Sequence, residues 1–120
     1  MRSLLPLLVV LPLAACGGSP SSPSTGSTIT ITSAGVSATQ VTVTPGARVT
    51  FVNMDTRSHN MTSDPHPEHS DCQEINTVGL LQPGQSRETG NLVTVRTCGF
   101  HDHDDPPPGG AKWTGRITIR

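Results

Sequence analysis

From Thr28 onward, hydrophobic and polar residues alternate in short runs that predict β-strands. The segments TITIT (28–32) and QVTVT (40–44) place Ile or Val at every second position, the period of a strand with one buried face. The runs ARVTFVN (47–53), NTVGLL (76–81), SRETGNLVTVRT (86–97) and WTGRITIR (113–120) continue the series, with Pro-Gly turns before the first and third. No stretch has the apolar spacing of an amphipathic helix over three turns. The pattern predicts an all-β sandwich or barrel.

Two polar segments interrupt the strand pattern. Residues 53–76 and 101–111 are rich in His and Pro, and DDPPPGG in the second segment suits neither a helix nor a ladder. Loops of this length in a compact domain are usually functional or disordered. The five histidines of the chain all lie in these segments or at their edges: His59, His66, His69, His101 and His103.

The start of the chain has the layout of an export signal. A short basic start is followed by an apolar run too short to span a membrane as a helix, and the run ends in LAAC, which resembles a bacterial lipobox. We therefore expect a lipoprotein signal peptide over 1–15, a lipidated Cys16 opening a Gly/Ser/Pro tether over 16–27, and a single domain over 28–120. The protein would be exported and anchored by lipid to a bacterial membrane, facing the periplasm or the cell exterior.

Composition narrows the choice of partners. Eight Lys and Arg against nine Asp and Glu give a net charge of −1, and no basic patch indicates nucleic acid. The aromatic residues are Phe51, Phe100 and Trp113 alone, so the core must consist mostly of Val, Ile and Leu. We expect a monomer.

Two motifs resemble the copper-ligand segments of the cupredoxins, the blue-copper proteins. VTFVNMDTRSHNM is similar to their first segment, a strand and turn followed by a histidine, and TCGFHDH…WTGRITI is similar to the second. The resemblance implies a cupredoxin-like Greek-key β-sandwich in which His59, Cys98 and His101 bind copper as Cu(I) or Cu(II). It also implies electron transfer to a redox partner protein. We do not expect enzymatic turnover, because the sequence shows no acid/base pair apart from the histidines themselves. The axial methionine of the family is absent, since Lys112 or Trp113 fills its place.

Cys72 gives Cys98 a competing use. An exported chain with a lipidated Cys16 keeps an even pair of cysteines, which indicates a disulfide between Cys72 and Cys98. A disulfide-bonded Cys98 could not supply a thiolate, and a copper site would then depend on histidine. Both alternatives stay open at this point.

The remaining histidines are further candidate ligands. His103 follows His101 by two residues, so both rings can approach one ion as ligand or supporting group. His66 and His69, in DPHPEH, are also spaced to reach one metal ion. With histidines alone, zinc is chemically nearly as suitable as copper.

Three functions follow from these alternatives. The first is copper-dependent electron transfer with Cys98 as a thiolate ligand. The second is copper sequestration or delivery by histidines, with a structural Cys72–Cys98 disulfide. The third is a protein-interaction module without metal, whose loops are held by that disulfide.

Overall fold

The computed structural model describes residues 27–120, and within them the regular structure is almost entirely β. The predicted signal peptide, Cys16 and all but the last residue of the predicted tether lie outside these residues. The described strands are β1 (Thr28–Thr32), β2 (Gly35–Val36), β3 (Gln40–Val43), β4 (Thr50–Asn53), β5 (His59–Ser63), β6 (Gly79–Leu81), β7 (Ser86–Glu88), β8 (Arg96–Asp102) and β9 (Gly115–Ile119). Two short 3-10 helices, Gln73–Thr77 and Ala111–Trp113, complete the list for this part of the chain. Neither of them has the length and hydrophobicity needed to cross a bilayer.

The strands form two sheets that pack face to face. One sheet has the order β2-β1-β4-β7, and the other has the order β3-β9-β8-β5-β6. β1 pairs in parallel with β4, and β3 pairs in parallel with β9, while the remaining pairs are antiparallel. The predicted all-β sandwich is confirmed, and β8 lies at the centre of the five-stranded sheet.

The space between the sheets is filled mainly by aliphatic side chains, as the composition predicts. Phe51 and Phe100 contact each other across it, edge to face, with ring centroids 5.2 Å apart. The side chains with no solvent exposure include Ile29, Ile31, Val49, Phe51, Met61, Ile75, Val78, Leu81, Phe100 and Ile117. Two phenylalanines therefore carry much of the aromatic packing of this core.

The register of β5 and β8 decides which side chains face the core. Thr62 pairs with His101, Met61 pairs with Asp102, and side chains alternate along each strand. Phe100 and Asp102 thus point between the sheets, whereas His101 points to the outer face of the five-stranded sheet.

Strand boundaries differ from the sequence prediction in two places. The segment 53–76, predicted as a loop, contains β5 and most of a 3-10 helix, in which four of the five residues of HNMTS and the apolar Ile75 are buried. The predicted strand 86–97 is broken: β7 ends at Glu88 and β8 begins at Arg96. Between these strands Val93 is 60% exposed and Val95 is 68% exposed. Their alternation with polar residues therefore does not correspond to a strand with one buried face.

The aromatic contact gives a test of the core. Replacing Phe51 with Ala should lower the free energy of unfolding by about 3–5 kcal/mol, because a fully buried ring is lost from a core with few large side chains. Urea denaturation with the disulfide intact measures the change. Val95→Ala, at an exposed apolar position, is the matched control and should stay within about 0.5 kcal/mol of the parent. Equal effects of the two substitutions would contradict this assignment of the core.

Candidate metal site

Four histidines converge on the outer face of the five-stranded sheet. His101 lies in β8, His103 directly follows that strand, and His66 and His69 lie in the loop after β5. One nitrogen of each ring can be chosen so that all four lie within 4.8 Å of one another. This cluster, the four-histidine site, contains two histidines from each of the polar segments 53–76 and 101–111.

His101 is held by a carboxylate so that one ring nitrogen is left for an ion. The residue is 1% exposed, and its Nδ1 lies 2.6 Å from Oδ1 of Asp64. A carboxylate accepts this hydrogen bond, which places the proton on Nδ1 and the lone pair on Nε2. Nε2 has only a distant neighbour, Oγ1 of Thr62 at 3.5 Å.

His69 is oriented in a similar way, but by backbone groups. Its Nδ1 lies 2.8 Å from the carbonyl oxygen of Ser63, which can only accept, so the lone pair is on Nε2. The backbone of His69 has φ +53°, in the left-handed region that non-glycine residues seldom adopt. Asn76 supports this conformation by donating from Nδ2 to the His69 carbonyl at 2.8 Å.

His103 and His66 complete the site. Nδ1 of His103 lies 2.8 Å from Nε2 of His69, and it donates to that lone pair in the metal-free protein. His66 packs against the other rings at centroid distances of 5.0 to 5.5 Å. Desolvation of its ring, followed by the neighbouring imidazoles, holds the pKa of His66 below its ordinary value of 6.5, although the residue as a whole is exposed. A lowered pKa favours the neutral ring that metal ligation requires.

This donor set fits a borderline transition-metal ion. Neutral imidazoles suit copper and zinc, with metal–nitrogen bonds of about 2.0 Å and neighbouring ligand atoms about 3.3 Å apart in a tetrahedral site. The four nitrogens lie within 4.8 Å of one another, so the side chains would have to close by up to about 1.5 Å to reach this spacing. Asp64 supplies the carboxylate support that ligating histidines commonly have.

His59, predicted as the first copper ligand, lies elsewhere. Its ring is fully buried on the inner face of the sheet, where Nδ1 is 2.7 Å from Asp102 Oδ2 and Nε2 is 2.8 Å from Asp55 Oδ2. Both ring nitrogens therefore face carboxylates. The predicted set of His59, Cys98 and His101 does not come together, because alternation along β5 and β8 sends His59 and His101 to opposite faces.

Cys98 is also removed from the predicted ligand set. It forms a disulfide with Cys72, and both residues are fully buried. Of the two uses that the sequence left open for Cys98, the structure has the disulfide. The thiolate alternative is corrected accordingly, since a disulfide sulfur carries no thiolate charge.

Two acids of the loop support the site without having been predicted to do so. Asp64 accepts from His101 Nδ1, and Asp71 accepts from the backbone N–H of Gly99 at 2.9 Å. Gly99 leaves the space that the Asp64 carboxylate occupies, since a Cβ at this position would collide with it. No sequence motif marks these contacts, because they depend on where the loop folds over β8.

The fold is cupredoxin-like. The structure resembles a purple cupredoxin from Nitrosopumilus maritimus, with a TM-score of 0.57 and 16% identity over 78% of this chain and 99% of the other. It resembles plastocyanin from Dryopteris crassirhizoma, with a TM-score of 0.59 and 18% identity over 78% and 100% of the two chains. An oxidised amicyanin mutant matches with a TM-score of 0.60 and 13% identity over 79% and 82%. No family model and no curated protein matches the sequence. The fold class expected from the two ligand-like motifs is thereby confirmed.

The contact between Gly99 and Asp64 can be tested. Gly99→Ala should displace the Asp64 carboxylate, release His101 and weaken Zn²⁺ binding by at least about tenfold. Isothermal titration with Zn²⁺ measures this change. Gly90→Ala is the control, because a Cβ there makes an ordinary 3.4 Å contact with the Glu74 side chain. Unchanged affinity in Gly99→Ala would show that Asp64 does not orient His101.

The ion pair of Asp55 predicts a dependence of stability on pH. The hydrogen bond from His59 lowers the pKa of Asp55 below its ordinary 3.8, against the opposing effect of burial, and Arg57 adds to the lowering. A lowered pKa stabilises the fold fully above the unfolded value, and this contribution is lost as pH falls through the folded value. Urea midpoints between about pH 6 and about pH 3 should therefore fall less steeply in Asp55→Asn than in the parent. If the urea midpoints of the parent and of Asp55→Asn fall equally with pH, the pairing of Asp55 with His59 is contradicted.

Proposed function

We propose that the domain binds copper through the four-histidine site. The observation that carries this proposal is the convergence of four imidazole nitrogens within 4.8 Å of one another. The lone pairs of His69 and His101 are already directed away from their hydrogen-bonded nitrogens, so these ligands need no change of tautomer. For His103 to coordinate through Nδ1, the ring would give up its hydrogen bond to His69, and its proton would move from Nδ1 to Nε2.

The site favours copper sequestration or delivery over electron transfer of the blue-copper kind. Electron transfer was predicted on condition that Cys98 is a free thiolate, and Cys98 is in a disulfide. His66 is exposed, so one ligand of the ion would be accessible to solvent and to an exchanging partner. Binding and release, without catalytic turnover, is the function that this arrangement supports.

Electron transfer without a thiolate is the second candidate. It is supported by the cupredoxin-like fold, which is shared with the oxidised and reduced plastocyanin and amicyanin structures that this chain resembles. It would require a redox partner protein and a copper ion that cycles between Cu(I) and Cu(II) at the same histidines. Zinc is the competing ion, because imidazole ligands accept it nearly as well as copper.

The location of the protein is part of the proposal. A lipid at Cys16 would tether the domain to a bacterial membrane on its periplasmic or outer side, and the Gly/Ser/Pro segment would let the site reach ions or partners beyond the lipid surface. The disulfide supports export, because such bonds persist in oxidising compartments.

Copper titration of the domain tests the proposal. We expect one equivalent of Cu(II) with nitrogen hyperfine coupling in the electron paramagnetic resonance spectrum and no intense thiolate band in the visible. The double variant His69→Ala/His103→Ala should lose at least about a hundredfold in affinity, since two ligands are removed. Glu68→Gln, in the same loop, is the control for loss of charge and should stay within about threefold.

Thiol counting completes this experiment. In a variant with Cys16 replaced by Ser, denaturation without reductant should expose no reactive thiol from Cys72 and Cys98. An intense thiolate band, or two reactive thiols, would favour the blue-copper hypothesis instead. No binding of copper or zinc by the oxidised domain would leave the interaction module as the surviving function.

A further inference from the structure

A buried group of ionisable side chains lies on the face of the sheet opposite to the four-histidine site. His59 is fully buried between Asp55 and Asp102, which are 9% and 1% exposed. The ring packs against Trp113, with centroids 4.9 Å apart. Pairing ionisable groups inside a core rarely adds stability over well-packed apolar residues. A role in addition to stabilisation is therefore worth seeking for this group.

Asp102 connects this inner group to the outer site. Its Oδ2 accepts from His59 Nδ1 at 2.7 Å, and its Oδ1 accepts from the backbone N–H groups of Asn60 at 2.9 Å and Asp104 at 3.1 Å. The bond to Asp104 closes a turn over His103. The backbone N–H of His103 in turn donates to the Asn60 carbonyl at 2.7 Å. The Asp102 carboxylate thus binds Asp104, the residue after His103. It also binds Asn60, whose carbonyl accepts from the His103 N–H.

We propose that His59 is a positioning residue for the four-histidine site and acts through Asp102 on His103. This inference rests on the proposed metal-binding function. It assigns a role to His59, which the sequence predicted to be a copper ligand. His59 binds Oδ2 of Asp102 and so orients the carboxylate. Oδ1 then faces the backbone N–H groups of Asn60 and Asp104. The turn then places the His103 ring on the face of the sheet opposite to His59. There Nδ1 of His103 lies 2.8 Å from Nε2 of His69.

The ion pair on the outside of the turn is a weaker constraint than this buried contact. Arg57 pairs with Asp105 at 3.1 Å, but the two side chains are 49% and 35% exposed. Exposed ion pairs hold their geometry weakly because water screens them. The buried contact between His59 and Asp102 is therefore the stronger constraint on where His103 lies.

Two matched variants separate positioning from general stability. Asp102→Ala and Asp55→Ala each remove a buried carboxylate from one nitrogen of His59, but only Asp102 belongs to the turn that carries His103. Copper titration, at a temperature where both variants are folded, should show a loss of about 10- to 100-fold in affinity for Asp102→Ala. Asp55→Ala should stay within about threefold. Equal losses in the two variants, or no loss in Asp102→Ala, would overturn the proposal.

A conservative variant keeps the test valid if Asp102→Ala does not fold. In Asp102→Asn the amide oxygen can still accept from the backbone N–H groups of Asn60 and Asp104, and Nδ2 can donate to His59 Nδ1 once that nitrogen has lost its proton. The copper affinity of Asp102→Asn should therefore remain within about threefold of the parent. His59→Gln, which cannot span both carboxylates, should lose at least about tenfold. Equal affinities for Asp102→Asn and His59→Gln would contradict the role of His59.

The metal-free protein gives a readout that does not depend on copper. Nitrogen chemical shifts of the His69 and His103 rings report the hydrogen bond between them. Asp102→Ala should remove its signature, and Asp55→Ala should preserve it. If the parent protein binds no copper but this pattern is observed, the proposed function fails while the positioning role stands. Unchanged ring signals in Asp102→Ala would refute the positioning role itself.

Discussion

Consecutive side chains of a β-strand project to opposite faces, and the chemistry of this protein depends on that alternation at the end of β8. Asp102 points inward and meets His59, whereas its neighbour His101 points outward and meets the loop histidines. The register of β8 against β5 fixes both contacts at once, since Met61 pairs with Asp102 and Thr62 with His101. A shift by one residue would exchange the two faces and separate both groups of side chains.

The outer site further depends on a loop that has almost nothing apolar to bury. Residues 64–71 consist of polar side chains and proline, so hydrophobic packing cannot hold them in place. The loop is instead held by Asp64 on His101, by Asp71 on the Gly99 amide, and by the disulfide at its end. The disulfide spans a sequence separation of 26 residues and contributes about 3–4 kcal/mol by restricting the unfolded chain. It also joins the segment bearing His66 and His69 to the strand bearing His101.

Sequence alone predicted the fold better than the site, for physical reasons. Alternation of Ile and Val with polar residues is a local property, and it correctly indicated β1, β3 and β9. The clustering of histidines in two polar segments indicated the segments from which the four converging histidines come. The face on which each histidine projects is not local, because it depends on where β5 begins and on its pairing with β8. The sequence therefore placed His59 with Cys98 and His101, which is wrong. It also gave no sign of the hydrogen bond between Asp64 and His101.

The position of the four-histidine site has a chemical consequence. A copper ion enclosed between the sheets would be surrounded by rigid core, which suits electron transfer because little reorganisation accompanies a change of oxidation state. An ion on the outer face, held partly by the exposed His66, is open to exchange. Nearby carboxylates such as Asp64 raise the local concentration of cations and favour capture. The inner group of His59, Asp55 and Asp102 is instead a buried polar element of the core, and in our proposal it positions one outer ligand, His103, through Asp102.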